Sequence, residues 1–258
     1  MSDIRPIAER LLSAVRNTTA TEPLTNTWPD LTIDEALTVQ DAVVYARVDS
    51  GATIVGAKLG LTSVAKQRQM KVDQPLYGWL TDDMQIDVGQ PVECARFIQP
   101  RCEPEIAFLL DRDLEGPNVT AAHVLAATEA VFGAIDVLDS RFTGYSFTFN
   151  DVVADNASSA AFTLGGTPLD PNGIDLRLTG CVFEKNGVLV STAAGAAVLG
   201  HPAASVAWLV RELARRGRGL TKGQVVMAGA LTEAIPVAPG DTIVARFDRL
   251  GTVELACR

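Results

Sequence analysis

The sequence predicts an α+β fold rich in strands, and three observations carry that expectation. Two segments with helical spacing open the chain, and one more strong helix lies late in it. The rest is dominated by short apolar runs of strand character, broken by Gly, Pro and Asp. Those runs do not alternate regularly with helices, so they do not build a repeated βαβ unit. At 258 residues the chain can bury a substantial core, as one large domain or one domain with an appended arm.

Residues 3–17 are a charged amphipathic segment without the apolar core and cleavage site of a signal peptide. In residues 33–49, Ile33, Ala36, Leu37, Gln40, Val43, Val44 and Val48 recur at three- and four-residue intervals, with Thr32 or Asp34 as cap. Between them "NTTATEPLTNTWPDLT" reads as a loop, so residues 1–50 form a helical arm and residues 51–258 the main domain. Strand-like runs follow in "TIVGAKLGLT", "YGWLTDDM", "IAFLLDRDL" and "FGAIDVLDSR", with a helix expected over 120–131 before the last of them. "DLRLTGCVFEKNGVLVSTAAG" predicts a hairpin turned at "KNG", Lys185 to Gly187. "HPAASVAWLVRELARRG" predicts a helix with Val206, Leu209, Val210 and Leu213 on one face and Gly217 as its stop. "DTIVARFDRLGTVELACR" closes the chain as a second hairpin.

Composition narrows the function classes. Hydrophobic residues make up 47% and charged residues 21%, with a formal charge of −9. No Lys/Arg cluster is dense enough to track phosphates, which argues against nucleic acid; "RELARRGRG" at 211–219 reads as a solvated helix end. No stretch approaches the ~18 apolar residues of a membrane span. Cys94, Cys102, Cys181 and Cys257 lack CxxC spacing and read as free thiols of a reducing cytoplasm. Two histidines exclude a His-rich zinc site, and no GxSxG elbow marks a Ser-His-Asp hydrolase. His201, just before Pro202, reads as a helix cap or contact residue, and His123 as a surface or packing residue.

The chemistry concentrates in "PRCEPEIAF". Glu103 and Glu105 are two apart, so a strand points both to one face, about 7 Å apart along the chain. Unshielded carboxylates there repel, and burying them demands a divalent cation or an Arg/Lys partner; two solvated glutamates on an exposed edge are the alternative. "AIDVLDSR" supplies a third carboxylate, Asp136, from a second strand-like run, completing an all-oxygen set of the kind Mg²⁺ or Mn²⁺ prefers. Lys58, in "GAKLGLTS", sits inside an apolar segment; beside a metal in a desolvated pocket its pKa would fall, making it a proton donor or acceptor. Asp139 and Arg141 suggest an ion pair, orienting the metal site or closing a strand end, and Tyr77 and Trp79 either wall a pocket or fill the core.

These blocks, with "VDQPLYGWL", "DVVADNASSA", "GAAVLGHPAASVAWL" and "GALTEAIPVAPGD", resemble the fumarylacetoacetate hydrolase superfamily over nearly the whole chain. The branch resembled is that of 4-oxalocrotonate (2-oxo-3-hexenedioate) decarboxylases and 2-hydroxypenta-2,4-dienoate hydratases of aromatic meta-cleavage catabolism. The resemblance implies a mixed-sheet, roll- or barrel-like core of the family's C-terminal type. It further implies Glu103, Glu105 and Asp136 as metal ligands, with Asp136 one methylene shorter than the frequent Glu, Lys58 as the active-site lysine, and Ser158 in the substrate pocket. Leu76, Tyr77 and Arg141 complete the expected substrate-binding set. Ala228 stands where many relatives carry a Thr able to contact the substrate carboxylate.

The resemblance implies two activities. Decarboxylation of a 2-oxo dicarboxylate needs a metal as Lewis acid and no organic cofactor, whereas hydration of the dienoate needs a further acid/base. Hydratases of the family typically read "QPDFG" where this chain has "QPLYG", so Leu76 replaces an acid. That reading and the wording of "LTSVAKQRQM" favour the decarboxylase, with hydratase as the alternative. A homo-oligomer, a complex with a partner dienoate hydratase and a cytoplasmic location are expected alongside. A non-catalytic assembly partner and an acylpyruvate-type C–C hydrolase are the remaining readings; intact Lys58 and carboxylates oppose the first, and the lack of a base in the N-terminal arm opposes the second.

Overall fold

The computed structural model describes residues 4–64, 67–68 and 72–258. Part of the "LTSVAKQRQM" block, and Asp3 of the predicted first helix, therefore lie outside the described residues.

Two helices open the chain, α1 (Arg5–Arg16) and α2 (Ile33–Asp49). Thr32 caps α2 in a full capping box: its hydroxyl accepts from the Glu35 N–H, and the Glu35 carboxylate accepts from the Thr32 N–H. The strands are β1 (Ile54–Gly60), β2 (Leu76–Thr81), β3 (Arg101–Leu110), β4 (Thr128–Leu138), β5 (Ser159–Leu164), β6 (Gly180–Lys185), β7 (Val188–Ala194), β8 (Val225–Ala230), β9 (Ile235–Pro236), β10 (Thr242–Phe247) and β11 (Gly251–Ala256). Further helices among the described residues are α3 (Ala121–Ala126), α4 (Phe149–Ala154) and α5 (Pro202–Ala214).

Among the described residues the strands form two sheets. The larger runs β2-β1-β8-β3-β4-β5, with β9 paired to β3; the smaller runs β11-β10-β6-β7. The β1–β8 pair is parallel and the others antiparallel, so the large sheet is mixed and curls as a half-barrel, in keeping with the expected fold class. Both predicted hairpins form, and Asn186 and Gly187 take the positive φ values (55° and 73°) that a tight two-residue turn requires. The helix expected over 120–131 ends at Ala126, and Thr128 already belongs to β4. The run from Thr128 to Leu138 buries alternate and then consecutive residues between β3 and β5, and those pairings override local helix propensity.

The sheet's two faces have different partners. Ala57, Leu59, Ile106, Phe108, Ile135 and Val137 join the main core with Val206, Leu209, Val210 and Leu213 of α5 and with the inner residues of the small sheet. Those four α5 residues are the face predicted from spacing. His201 caps α5, its Nδ1 accepting from the Ala203 N–H at 3.0 Å. The helices α1 and α2 build a second core with Leu76, Phe142 and α4. All four cysteines are free and buried.

Candidate active site and metal centre

Three strands of the large sheet bring the charged residues to its other face. Glu103 and Glu105 sit on β3, and the antiparallel register sets Glu103 directly opposite Asp136 of β4. Lys58 of β1, separated from β4 by β8 and β3 in the sheet order, donates through Nζ to Asp136 Oδ2 at 2.6 Å. Pro104 lies between the two glutamates and has no N–H for a ladder. The β3–β8 pairing shifts register just past it, reaches only to Glu105, and gives way to β9 at Cys102.

The three carboxylates each place a ligand oxygen within 4.8 Å of the others, and they are 4%, 0% and 0% exposed. Glu105 Oε2 accepts from the Gly229 N–H at 2.7 Å. Glu105 Oε1 and Asp136 Oδ1 are buried and have no hydrogen-bond partner. Leaving a buried carboxylate oxygen unpaired is costly, so two in one cluster mark the place of a missing positive partner. Burial, then repulsion from Asp136 and Glu103, pushes Glu105 well above the usual carboxylate range against the pull of Lys58 and Gly229. Asp136 is pushed up as well, by burial first. Burial alone would lower Lys58, but Asp136, Glu103 and Glu105 outweigh it and raise its pKa. The expected fall of the lysine is thus reversed within the protein's own charges, because three carboxylates face one ammonium. Hard oxygen donors, close spacing and two orphaned lone-pair sites fit a divalent cation.

A cavity of about 170 Å³ opens beside this cluster. Lys58, Leu76, Glu103 and Ser158 line it, and the sequence had singled out all four. Leu61, Thr62, Ser63, Tyr145, Phe147 and Ala230 line it too, and the sequence reading did not include them. Phe147 and Tyr145 come from the segment between β4 and α4, which carries no strand or helix periodicity to reveal its direction. Ser158 ends a turn, Asn156-Ala157-Ser158, whose three residues all have positive φ (50°, 55° and 55°). That strain is held by Asn156, whose side chain accepts from the Trp79 N–H at 2.7 Å and donates to its carbonyl at 2.9 Å. Gly78 makes the approach possible, since a Cβ there would lie 2.3 Å from the Asn156 carbonyl oxygen.

Two residues expected to touch substrate lie elsewhere. Tyr77 faces the opposite side of β2 from Gly78 and packs edge-on against Trp79, 5.9 Å between ring centroids, within the main core. Arg141 is buried and pairs through Nε with the Asp155 carboxylate; its Nη1 donates to the carbonyls of Asp139 (2.7 Å) and Ser159 (3.1 Å). The supposed Asp139–Arg141 side-chain pair does not form, because Asp139 accepts instead from the N–H groups of Ile98 and Gln99. Arg141 bears on the cavity indirectly: Asp155 Oδ2 accepts from the Ser158 hydroxyl at 3.1 Å. Ala228 packs in the main core, its carbonyl accepting from Ser205 at 2.6 Å, and Ala230 is the β8 residue that lines the cavity.

Comparison with known proteins resolves the grouping. The C-terminal pattern of fumarylacetoacetate (FAA) hydrolase matches residues 53–257. The chain belongs to the fumarylacetoacetate hydrolase family. Within the family, a 4-oxalocrotonate decarboxylase of Pseudomonas sp. (strain CF600) is 42% identical over 248 residues, 96% of this chain and 94% of that protein. A 2-keto-4-pentenoate hydratase of Paraburkholderia xenovorans (strain LB400) is 39% identical over 247 residues, 96% of this chain and 92% of that one. The 4-oxalocrotonate decarboxylase of Pseudomonas putida G7, solved with magnesium and adipate, superposes with a TM-score of 0.95 at 41% identity, over 98% of this chain and 96% of that one. The same enzyme has been solved with calcium and acetate.

Proposed function

We propose that this protein is a magnesium-dependent carbon–carbon lyase that decarboxylates 4-oxalocrotonate (2-oxo-3-hexenedioate) to 2-hydroxypenta-2,4-dienoate and CO₂. The observation that carries the reading is a buried set of three carboxylates and one lysine opening into a cavity with no further acid. Among the described residues, Glu103 is the sole carboxylate lining that cavity, and Lys58 the sole cation. Relatives named as decarboxylases, and one solved with magnesium, support the same reading.

Glu103, Glu105 and Asp136 are the groups that would hold the metal. A bound divalent cation supplies Lewis-acid stabilisation of negative charge developing on the substrate's 2-oxo oxygen. Breaking the C5–C6 bond releases CO₂ and leaves its electron pair conjugated through C3 and C4 to that oxygen, which takes up one proton to give the dienol. Lys58, carrying its proton among the carboxylates, is the group placed to hold and deliver that proton. Asp136 fixes Lys58 Nζ by the 2.6 Å hydrogen bond, so the ammonium is oriented before substrate arrives. Leu76 and Phe147 give the cavity apolar walls, which disfavour solvated charge at the departing carboxylate. Ser158 lines the cavity, and its hydroxyl, which donates to Asp155 in the ligand-free protein, would turn from Asp155 to donate to the substrate's polar end.

Hydration of the dienoate is the second reading, favoured by relatives of nearly equal identity that are named hydratases. It requires an acid or base to activate water, and Leu76 occupies the position where the family's hydratases carry one. Among the described residues no helix is long and apolar enough to cross a membrane. A cytoplasmic homo-oligomer, able to pass the dienol to a partner hydratase, is the setting we propose. A paired ultraviolet assay with Mg²⁺ tests the function. Metal-dependent loss of 2-oxo-3-hexenedioate with CO₂ release is expected; consumption of 2-hydroxypenta-2,4-dienoate alone, giving 4-hydroxy-2-oxopentanoate, would assign the hydratase.

A further inference from the structure

The hydroxyls that line the active-site cavity differ in how they are engaged. The Ser158 hydroxyl donates to Asp155 at 3.1 Å, and the Tyr145 hydroxyl is buried within the protein. Ser63 is half-buried, where the chain leaves the wall. Thr62 is only 2% exposed, yet its hydroxyl makes no hydrogen bond among the described residues and stays open to the cavity. A threonine oxygen carries one donor and two acceptor sites, and holding them this deep is costly unless water or a ligand engages them.

The chain around Thr62 fixes where that hydroxyl stands. It turns at Leu61, whose φ is 54°, just after β1 ends at Gly60. The Leu61 carbonyl accepts from Gln67 Nε2 at 2.7 Å, and the Thr62 carbonyl accepts from the Leu199 N–H at 3.1 Å. The Thr62 side chain then lies over Gly229: a Cβ there would be 2.2 Å from Thr62 Oγ1 and 2.6 Å from its Cγ2. Gly229, with φ 114°, donates its N–H to Glu105 Oε2 at 2.7 Å. One glycine therefore separates the open hydroxyl from a carboxylate of the metal set.

We propose that Thr62 contacts the substrate, its hydroxyl donating to the C1 carboxylate of the 2-oxo acid. This rests on the reading above, in which a 2-oxo acid binds beside a cation held by Glu103, Glu105 and Asp136. A carboxylate has two oxygens, and one that faces the cation leaves the other in need of a donor. Ala228 of β8 has no hydroxyl to give and packs in the main core, while Lys58 Nζ already donates to Asp136. Thr62, seated on Gly229, is an uncommitted donor beside Glu105. A neutral hydroxyl also adds recognition without placing a second positive charge where it would compete with the cation for that glutamate.

The test uses pyruvate as the probe, with the full-length protein, MgCl₂ and isothermal titration. The wild-type protein should bind pyruvate only when Mg²⁺ is present. Thr62→Val exchanges the hydroxyl for a methyl of similar size and should weaken pyruvate about tenfold or more, the loss expected of a hydrogen bond to a charged group. Its affinity for Mg²⁺ alone and its thermal transition should match the wild type, and Thr62→Ser should bind pyruvate close to the wild-type affinity. With 2-oxo-3-hexenedioate the loss should fall on KM more than on kcat. Equal pyruvate affinity in wild type and Thr62→Val would overturn the role of Thr62 and leave the reading of the site intact. Thr62→Ser as weak as Thr62→Val, or weakened Mg²⁺ binding in Thr62→Val, would trace the effect to packing or to the metal set and overturn it too. A wild-type protein that binds Mg²⁺ but not pyruvate would instead refute the 2-oxo acid reading, and the role of Thr62 with it.

Discussion

Replacing Glu105 by Gln separates the cost of the site from its use. In the metal-free protein the carboxylate is fully buried, repelled by Asp136 and Glu103, and raised well above its usual range. An uncharged amide of the same shape still accepts from the Gly229 N–H and removes one of three crowded negative charges. The metal-free variant should therefore melt at or above the wild-type temperature. With Mg²⁺ at one hundred times its dissociation constant, the wild-type protein gains about 2.7 kcal/mol. For a chain of this size that is roughly 5–11 °C in Tm. If loss of the ligand weakens binding about one hundredfold, the gain at the same concentration falls to roughly 0.4 kcal/mol, or about 1–2 °C. Calorimetry of both proteins with and without MgCl₂, alongside turnover of 2-oxo-3-hexenedioate, reads all of these quantities. A variant that keeps the full magnesium shift, or turns over without metal, would refute the assignment of Glu105 as a ligand.

Other perturbations follow from the same geometry. Lys58→Ala should still bind Mg²⁺ and lose turnover; full rate in that variant removes the lysine from the mechanism. Leu76→Asp sets a carboxylate on the cavity wall, where a like charge of about 1.4 kcal/mol or more at the distal carboxylate should cut decarboxylase kcat/KM at least tenfold; an unchanged value would place the substrate's far end elsewhere. Burial, outweighing Arg141, pushes the Asp155 carboxyl up to about 6, from 3.8 for the free group. Between those values the native state holds a proton that the unfolded chain has released, so this group's contribution to stability grows as pH falls from 6 toward 4 and diminishes as pH rises through 6. Denaturant titrations across that window should show the slope in the wild-type protein and a flatter one in Asp155→Asn.

Where the site was legible in the sequence, strand periodicity made it so. Glu103 and Glu105 share a face because they are two apart, and their burial follows from the apolar run that continues the strand. Asp136 could be placed on a neighbouring strand, though its position directly opposite Glu103 is a matter of register, which the sequence does not encode locally. The same periodicity also carried an unused signal: Leu76 and Tyr77 are consecutive in β2, so a cavity on one face can receive only one of them directly. Arg141 was harder. Its partner Asp155 lies beyond a segment with no period, past α4, and only the fold shows that Asp155 is nearer than Asp139. Ala228 and Ala230 are two apart and would share a face in a regular strand; the register shift of β8 against β3, with Gly229 between them at φ 114°, turns only Ala230 to the cavity.

The four ionisable groups on this sheet face make no sense as a device for stability. Three carboxylates and one ammonium leave a buried net negative charge, and well-packed apolar residues in their place would be neutral or stabilising. The surrounding sheet tolerates the cluster because its other face is apolar and continuous with α5 and the small sheet, while Leu80, Ala107, Ala134, Phe162 and Met227 pack beside it. The strain extends to the cavity's edge, where three consecutive residues of the 156–158 turn adopt positive φ and are pinned to β2 by one asparagine. Both departures from ordinary packing border the same 170 Å³ space, the cluster through Lys58 and Glu103 and the turn through Ala157 and Ser158. A protein that concentrates its uncompensated charge and its backbone strain around one cavity has arranged them for a ligand, and the excess of carboxylate over ammonium states that ligand's sign. On the function proposed above, a cation would complete the cluster, and Lys58, already anchored on Asp136, would be the proton carrier beside it.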